Sequence, residues 1–249
     1  MRKIAVYTAL FGDYSGLIEQ PKIDGVDYYC YTDRTDYVSK VWNIVQVPKP
    51  ISGDDTRSNR YYKILPHLHL DRSYEVSVYI DGNILILRDF SDIVKMALDR
   101  AKMACFDHAQ NKIDPRDCIY EEYEAIKEIA LTDGVFKDDL QVMEQQMDRF
   151  RQEGYPDNHG LITAPILIRK HFDKDVIKLM EAWWHIVKNE SKRDQLSFNY
   201  VAWKLDFKQL YLIEGDVRKG NPWFHTISHR QKYRFKVFKV KMSKFFGFR

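Results

Sequence analysis

The chain has 249 residues, of which 45% are hydrophobic and 30% charged, with 39 Lys+Arg against 36 Asp+Glu and only 3 Cys. This size and balance exclude disorder as the main state and give one full-sized domain, or one domain with a short appendage. The odd, sparse cysteine count excludes a disulfide-stapled secreted scaffold and suits a reducing compartment, and no segment approaches the roughly 18 consecutive apolar residues of a membrane span.

Residues 3–9 are a compact apolar run that reads as a buried first strand. The basic residues before it give the start the look of a signal peptide, but Tyr7 and Thr8 break the run and no small-residue cleavage site follows. Residues 27–32 (DYYCYT) and 41–47 (VWNIVQV) predict two more strands, the second closed off by Pro48 and Pro50. Residues 54–70 carry a helix start at Asp55 or Ser58, with Pro66 opposing its later turn. A strand over 75–80 leads into Asp81-Gly82-Asn83 and a second apolar run over 84–87. Ser91 and Asp92 cap a helix that runs to Arg100, and 102–106 is strand-like. Helical spacing recurs over 119–131 and 138–153, the latter stopped by Gly154 and Pro156. A strand over 161–168, helices over 173–189 and 193–204, and a strand over 208–213 follow. Strands alternating with helices predict an α/β sandwich around a mostly parallel sheet.

The net charge of +3 conceals a division. After Asp216 there is no acidic residue, and residues 217–249 carry ten Lys/Arg, so the body before them has a formal charge of 3 − 10 = −7. The expected organisation is a domain over 1–216 and a basic, aromatic tail over 217–249. Cations interleaved with Tyr233, Phe235, Phe238, Phe245, Phe246 and Phe248 suit an anionic membrane surface. Nucleic acid is the weaker partner, because the body is acidic and no nucleic-acid motif is present. The expected location is the cytoplasm, peripheral to the inner membrane face.

The best local chemical signal is YIDGNILI at residues 79–86. Asp81 and Asn83 flank a glycine that lets backbone approach a ligand, and their oxygens suit a hard divalent ion that also meets phosphate. The same Asp-Gly-Asn is a common turn sequence. Arg57, Arg60 and Lys63 share one helix face at spacing three. They can hold a diphosphate, pair with Asp81, or simply be solvated. Asp194 and Gln195 open a helix, where an acid is favoured by the dipole or aims at a polar substrate. His225 and His229 are four apart. No HExxH, CxxC pair, P-loop or GxSxG occurs, which argues against zinc proteases, P-loop NTPases and α/β-hydrolases.

Taken in order, IAVYTALFGDY, YYCYTD, RSNRYYKILPH, YIDGNILI, CFDH, IYEEYEAI, LIRKH and SKRDQLSFNY resemble the glycosyltransferase-like domain family of bacterial polysaccharide clusters and plant cell-wall proteins. That family is similar to GT-A glycosyltransferases. The resemblance implies a nucleotide-binding sandwich and a nucleotide-diphosphate sugar donor, with UDP the expected nucleotide. It implies Mn²⁺ or Mg²⁺ held by Asp81 and Asn83, Asn83 standing where the family of folds has a second Asp. It further implies Thr8, Ala9, Phe11 and Asp33 around the base and ribose, Arg60 and Lys63 near the diphosphate with Asp81 and Gly82, and Asp194 and Gln195 near the sugar and acceptor. His225 or His229 is implied as a late metal ligand. The implied acceptor is a polysaccharide or lipid-linked glycan. A non-catalytic nucleotide-sugar or glycan-binding protein is the alternative, motivated by the missing second Asp.

Overall fold

The computed structural model describes residues 3–13, 16–227, 240 and 242. His229 and most of the basic tail therefore lie outside the described residues. The strands are β1 (Ile4–Leu10), β2 (Val26–Thr32), β3 (Asn43–Gln46), β4 (Val76–Ile80), β5 (Ile84–Ile86), β6 (Met103–Asp107), β7 (Ile162–Lys170), β8 (Leu210–Ile213) and β9 (Phe224–Thr226). The helices are α1 (Asp55–Ile64), α2 (Ser91–Arg100), α3 (Ile119–Asp133), α4 (Leu140–Gln152), α5 (Lys174–Asn189) and α6 (Gln195–Lys204).

Seven strands form one sheet in the order β3-β2-β1-β4-β7-β6-β8. The pairs β1/β2, β2/β3, β1/β4 and β6/β8 are parallel, and β7 runs antiparallel to both β4 and β6. The sheet is thus mostly parallel, as the alternation of elements predicts. Every residue of β1 is buried, which is why this strand is an unbroken apolar run rather than an alternating one.

Alternate side chains of β1 feed two cores. Ala5, Tyr7 and Ala9 pack with Tyr62, Ile119, Phe150, Trp183 and Phe198, on the face covered by α1 and α3 to α6. Ile4, Val6 and Leu10 pack with Ile84, Ile93, Ala97 and Phe224, on the face covered by α2 and the β5/β9 pair. Asp54, Asp139 and Asp173 accept hydrogen bonds from first-turn amides of α1, α4 and α5, each satisfying donors that the helix cannot.

Three boundaries depart from the sequence reading. Helix α1 stops at Ile64, and Pro66 opens a short 3₁₀ turn over Pro66–Leu68, since proline cannot donate to the helix ladder. The third strand begins only at Asn43, because Trp42 turns inward to donate its Nε1 proton to the Ile18 carbonyl at 2.8 Å. Helix α6 begins at Gln195, not Arg193. Strand β9 is absent from the sequence reading. At three residues it is too short to show a period, and it exists through antiparallel pairing of Ile84, Leu85 and Ile86 with Thr226, His225 and Phe224.

Arg169 is 1% exposed and has no carboxylate partner among the described residues. Its guanidinium donates to the Lys63 carbonyl at 3.1 Å, to the Ile64 carbonyl at 3.4 Å and to the Tyr7 hydroxyl. The negative end of α1 therefore supplies its counter-charge. Tyr7 donates in turn to the Lys63 carbonyl at 2.7 Å. β1, β7 and the end of α1 are locked together immediately behind the residues that face the cleft.

Candidate active site

The chain crosses from β3 to β4 on the other side of β1, so the ends of β1 and β4 lie at a reversal of strand order, where open α/β sheets bind ligands. A cleft of about 480 Å³ opens there, lined by Ala9, Leu10 and Phe11 after β1, Asp55, Thr56, Asn59 and Arg60 of α1, Asp81, Gly82 and Asn83 after β4, and Val135, Lys137 and Arg193.

One rim is built by backbone closeness. Gly12 has φ +63, and a Cβ there would lie 2.1 Å from the Asp55 carboxylate, so a larger residue would be strained in its backbone and would displace Asp55. Its N–H donates to Asp33 Oδ1 at 3.1 Å. Lys49 bridges Asp33 at 3.3 Å and Asp55 at 2.5 Å. Asp33 thus organises the rim and is not among the residues lining the cleft. Asn59 donates to the Ala9 carbonyl and, at 3.4 Å, to the Tyr79 hydroxyl, tying α1 across the tops of β1 and β4.

The Asp81-Gly82-Asn83 turn is held on both sides. Asp81 N–H donates to the Pro165 carbonyl at 2.8 Å, and Ile84 N–H returns to the Asp81 carbonyl at 2.9 Å. The Tyr79 hydroxyl donates to Asp81 Oδ1 at 2.8 Å. Burial first, and then the Asp81 charge, raise the Tyr79 pKa well above its ordinary value, so this proton stays on the phenol. The Asp81 side chain is 33% exposed, in contrast to its neighbours. Asn83 is 8% exposed. Its Nδ2 donates to the Ile227 carbonyl at 3.2 Å while the Ile227 N–H donates to the Asn83 carbonyl at 2.8 Å.

Behind this turn lies a buried ion cluster. Lys63 Nζ is 2.6 Å from Asp194 Oδ2 and 3.9 Å from Asp81 Oδ1, and Arg60 Nε is 3.1 Å from Asp194 Oδ2. Burial disfavours the charged form of both Asp194 and Lys63. For Asp194 that penalty is outweighed by the Arg60 and Lys63 charges, which hold its carboxyl well below the usual carboxylate range. For Lys63 burial prevails over the pull of Asp194 and Asp81, and its pKa lies below that of an ordinary lysine.

This arrangement corrects several expectations. Asp194 and Lys63, expected at the sugar and the diphosphate, are 4% and 2% exposed in their side chains and are absorbed by each other. Gln195 donates Nε2 to the Ile162 carbonyl at 2.9 Å, so it fastens α6 to β7. Thr8 is 1% exposed and does not line the cleft; of the residues expected around the base and ribose, Ala9 and Phe11 do. Phe11 itself is 3% exposed and stacks on Tyr62 at 5.5 Å. Arg57, read from spacing as a neighbour of Arg60 and Lys63, instead donates to the Val187 and Glu190 carbonyls at 3.1 and 2.5 Å, at the end of α5. His225 lies on β9 opposite Leu85 and is not a cleft residue.

Val135, Lys137 and Arg193 were not singled out from the sequence. They sit on connections between helices, where no periodicity marks them. Lys137 is exposed at the cleft mouth, yet nearby protein atoms, and then the Arg193 charge, push its amine pKa down.

Among the described residues, no group of three or more His, Cys, Asp or Glu is arranged to hold a metal ion. Asp81 and Asn83 are the turn's only side-chain oxygen donors. Mg²⁺ commonly takes one or two carboxylates plus substrate phosphates, so this donor set fits an ion whose coordination a diphosphate completes. No helix among the described residues is long and apolar enough to cross a membrane.

Comparison with solved structures finds similarity to the WbbM bifunctional glycosyltransferase (TM-score 0.48, 13% identity, covering 85% of this chain and 39% of that one). Mouse xyloside xylosyltransferase 1 is similar at TM-score 0.44 and 8% identity, covering 86% of this chain and 85% of that one. The galactosyltransferase LgtC, solved with donor and acceptor sugar analogues, is similar at TM-score 0.42 and 11% identity, covering 83% and 72%. No curated protein matches the sequence. A family model for the TOD1/MUCI70 glycosyltransferase-like domain matches residues 29–217, and the chain belongs to that family.

Proposed function

We propose that the chain is a glycosyltransferase that takes a sugar from a nucleotide-diphosphate donor, with UDP as the nucleotide, and passes it to a polysaccharide or lipid-linked glycan. One observation carries the reading. A half-exposed carboxylate, Asp81, stands at the carboxyl end of β4 in a cleft whose other acids are paired or buried. Ala9 and the loop to Gly12 offer backbone to a nucleoside, and Asp81 faces the diphosphate. Asp81 and Asn83 would hold a divalent ion, which would supply charge neutralisation for the leaving diphosphate.

The buried cluster bears on the stereochemistry. Asp55 and Asp81 are the carboxylates that line the cleft, and Asp55 is paired with Lys49 at 2.5 Å. Asp194 is charged, enclosed and ion-paired, so it makes a poor proton acceptor. The reading is therefore transfer with retention. The bond between the sugar and the diphosphate breaks, the acceptor oxygen bonds to the same carbon, and the acceptor proton goes to the departing diphosphate oxygen. Asp194 acts by fixing Lys63 and Arg60 behind that centre.

The charge division, −7 before and +10 after Asp216, favours work at an anionic surface. Truncation after His229 should release the protein from anionic vesicles without unfolding it.

The donor is tested by thermal stabilisation with UDP, GDP, CDP and ADP, each with and without Mn²⁺. A ligand at 100 times its Kd adds about 2.7 kcal/mol. Metal-dependent stabilisation by one nucleotide supports the reading. Stabilisation without any transfer or hydrolysis across a panel of sugars favours the binding-protein alternative. No response to any nucleotide overturns the donor assignment.

A further inference from the structure

We propose that Lys137 and Arg193 form an oxyanion subsite in the cleft, which takes a phosphoryl or carboxylate group of a substrate. The identity of that substrate rests on the glycosyltransferase reading, whereas the charge arrangement does not.

Lys137 comes from the connection between α3 and α4, and Arg193 from the turn before α6; both line the cleft with Asp81, Gly82 and Asn83. The cations on α1 are otherwise engaged, since Arg60 and Lys63 both lie against Asp194, at 3.1 and 2.6 Å. Lys137 has no ion pair or hydrogen bond among the described residues. Arg193 reaches Glu122 Oε1 only at 3.8 Å, and its charge also acts on the adjacent Asp194, which Lys63 already pairs at 2.6 Å. Glu122 is already held by Arg116, whose Nε and Nη2 reach Oε2 at 3.0 and 2.8 Å. The Nε of Arg193 is buried without a hydrogen-bond partner.

Charge around this pair is lopsided. Arg116, Arg193 and Arg218 all act on Lys137 to disfavour its ammonium, and Glu122 alone opposes them. Asp55, the cleft's other acid besides Asp81, is neutralised by Lys49 at 2.5 Å. Asp114 and Glu122 both hold Arg116, which leaves Lys137 without a partner among the described residues and the buried Nε of Arg193 without an acceptor on the cleft side. An oxyanion between Lys137 and Arg193 accepts charge-assisted hydrogen bonds from both and relieves their mutual repulsion. Two sources of that oxyanion are chemically equivalent here. One is the donor's diphosphate; the other is a phosphate or carboxylate on the acceptor or the transferred sugar.

The test uses the full chain, with K137Q, R193Q, the double variant and K137R. Binding of inorganic pyrophosphate, inorganic phosphate, glucuronate and UDP is measured by calorimetry at fixed ionic strength, with the melting temperature as a fold control. Each Gln substitution should weaken pyrophosphate binding by roughly tenfold or more, and K137R should retain most of it. If UDP binding falls in parallel, the oxyanion is the donor's diphosphate. If UDP binding holds while phosphate or glucuronate binding is lost, it belongs to the acceptor or the transferred sugar. If pyrophosphate binding is lost in the variants and no nucleotide binds the unmodified chain, the subsite stands and the nucleotide-donor reading falls. Equal binding of every probe by the unmodified chain and the double variant, or no binding by the unmodified chain, overturns the proposal.

Discussion

Lys63 Nζ lies 2.6 Å from Asp194 Oδ2 and 3.9 Å from Asp81 Oδ1, so one enclosed ammonium stands behind both acids. Neither Asp194 nor Lys63 can be relieved by water, at 4% and 2% side-chain exposure. Removing the carboxylate charge strands a buried cation, a change that typically costs about 3–5 kcal/mol. D194N should therefore lose stability on that scale in denaturant unfolding. Replacing all three partners with uncharged groups, R60M and K63M with D194L, should recover stability relative to D194N but not the activity, since the cluster also positions the surroundings of Asp81. A D194N protein with unchanged unfolding midpoint and turnover would remove the cluster from both roles.

Asp81 differs from Asp194 in being reachable. Its side chain is 33% exposed and its fixed contact is the Tyr79 hydroxyl at 2.8 Å. D81N keeps the shape and an oxygen for Tyr79, so its unfolding free energy should change by about 1 kcal/mol or less. Donor turnover should fall roughly 10²–10³-fold, the scale on which loss of a group facing developing charge is felt. Parallel loss of stability and turnover would assign Asp81 to the fold instead.

The contrast shows what sequence can and cannot reveal. Strand β1 was legible because full burial leaves an uninterrupted apolar run, and Asp173 caps its helix as read, whereas the cap of α1 is Asp54 rather than Asp55 or Ser58. The Asp81-Gly82-Asn83 turn, proposed as part of the site, was legible as a turn because it falls between two apolar runs. Spacing alone placed Arg57, Arg60 and Lys63 on one face. It could not show that Arg57 turns to the end of α5, or that Lys63 meets an acid 131 positions later (194 − 63). Lys137 lies on a connection that carries no period, and Arg193, read as the first residue of a helix, lies in the turn before it; only the tertiary fold brings both to the cleft.

Stability should also depend on mild acid. Burial, and then the neighbouring His67 charge, hold His69 at about 4, and burial, then the Arg169 charge, hold His171 at about 4. Both start from an ordinary value of 6.5. Between these limits the unfolded chain binds protons that the native state refuses, so stability falls as pH is lowered from 6.5 towards 4. The contribution is fully present above 6.5. The depressed Asp194 carboxyl adds its own loss only at more acid pH, below the ordinary carboxylate range. Unfolding free energies at a series of pH values should show this slope, and H69N/H171N should flatten it. An unchanged slope in the double variant would place the titration elsewhere.

Asn83 stands two residues after Asp81, where the proposed reading would put a second metal-binding acid, and its contacts give an amide a structural role there. Its Nδ2 faces a carbonyl, that of Ile227 at 3.2 Å, and this contact requires a donor. The Ile227 N–H answers to the Asn83 carbonyl at 2.8 Å, so the pair clasps the chain after β9 to the turn that carries Asp81. A carboxylate at position 83 cannot donate, and at 8% exposure it would hold its charge against a carbonyl oxygen. An unmade buried hydrogen bond costs about 1–3 kcal/mol, and more for a charged group. N83D should therefore lower stability by at least that much, although it restores the Asp-X-Asp pattern. Its stability should fall further as pH rises through the carboxyl's own titration, since ionisation is the unfavourable state there. Bound Mn²⁺ should oppose the loss only if the new carboxylate turns from Ile227 towards Asp81. Melting temperatures of N83D and N83A across pH, with and without Mn²⁺, separate the two roles. A clasp predicts that both variants are destabilised and that metal rescues neither, whereas a metal ligand predicts rescue of N83D alone.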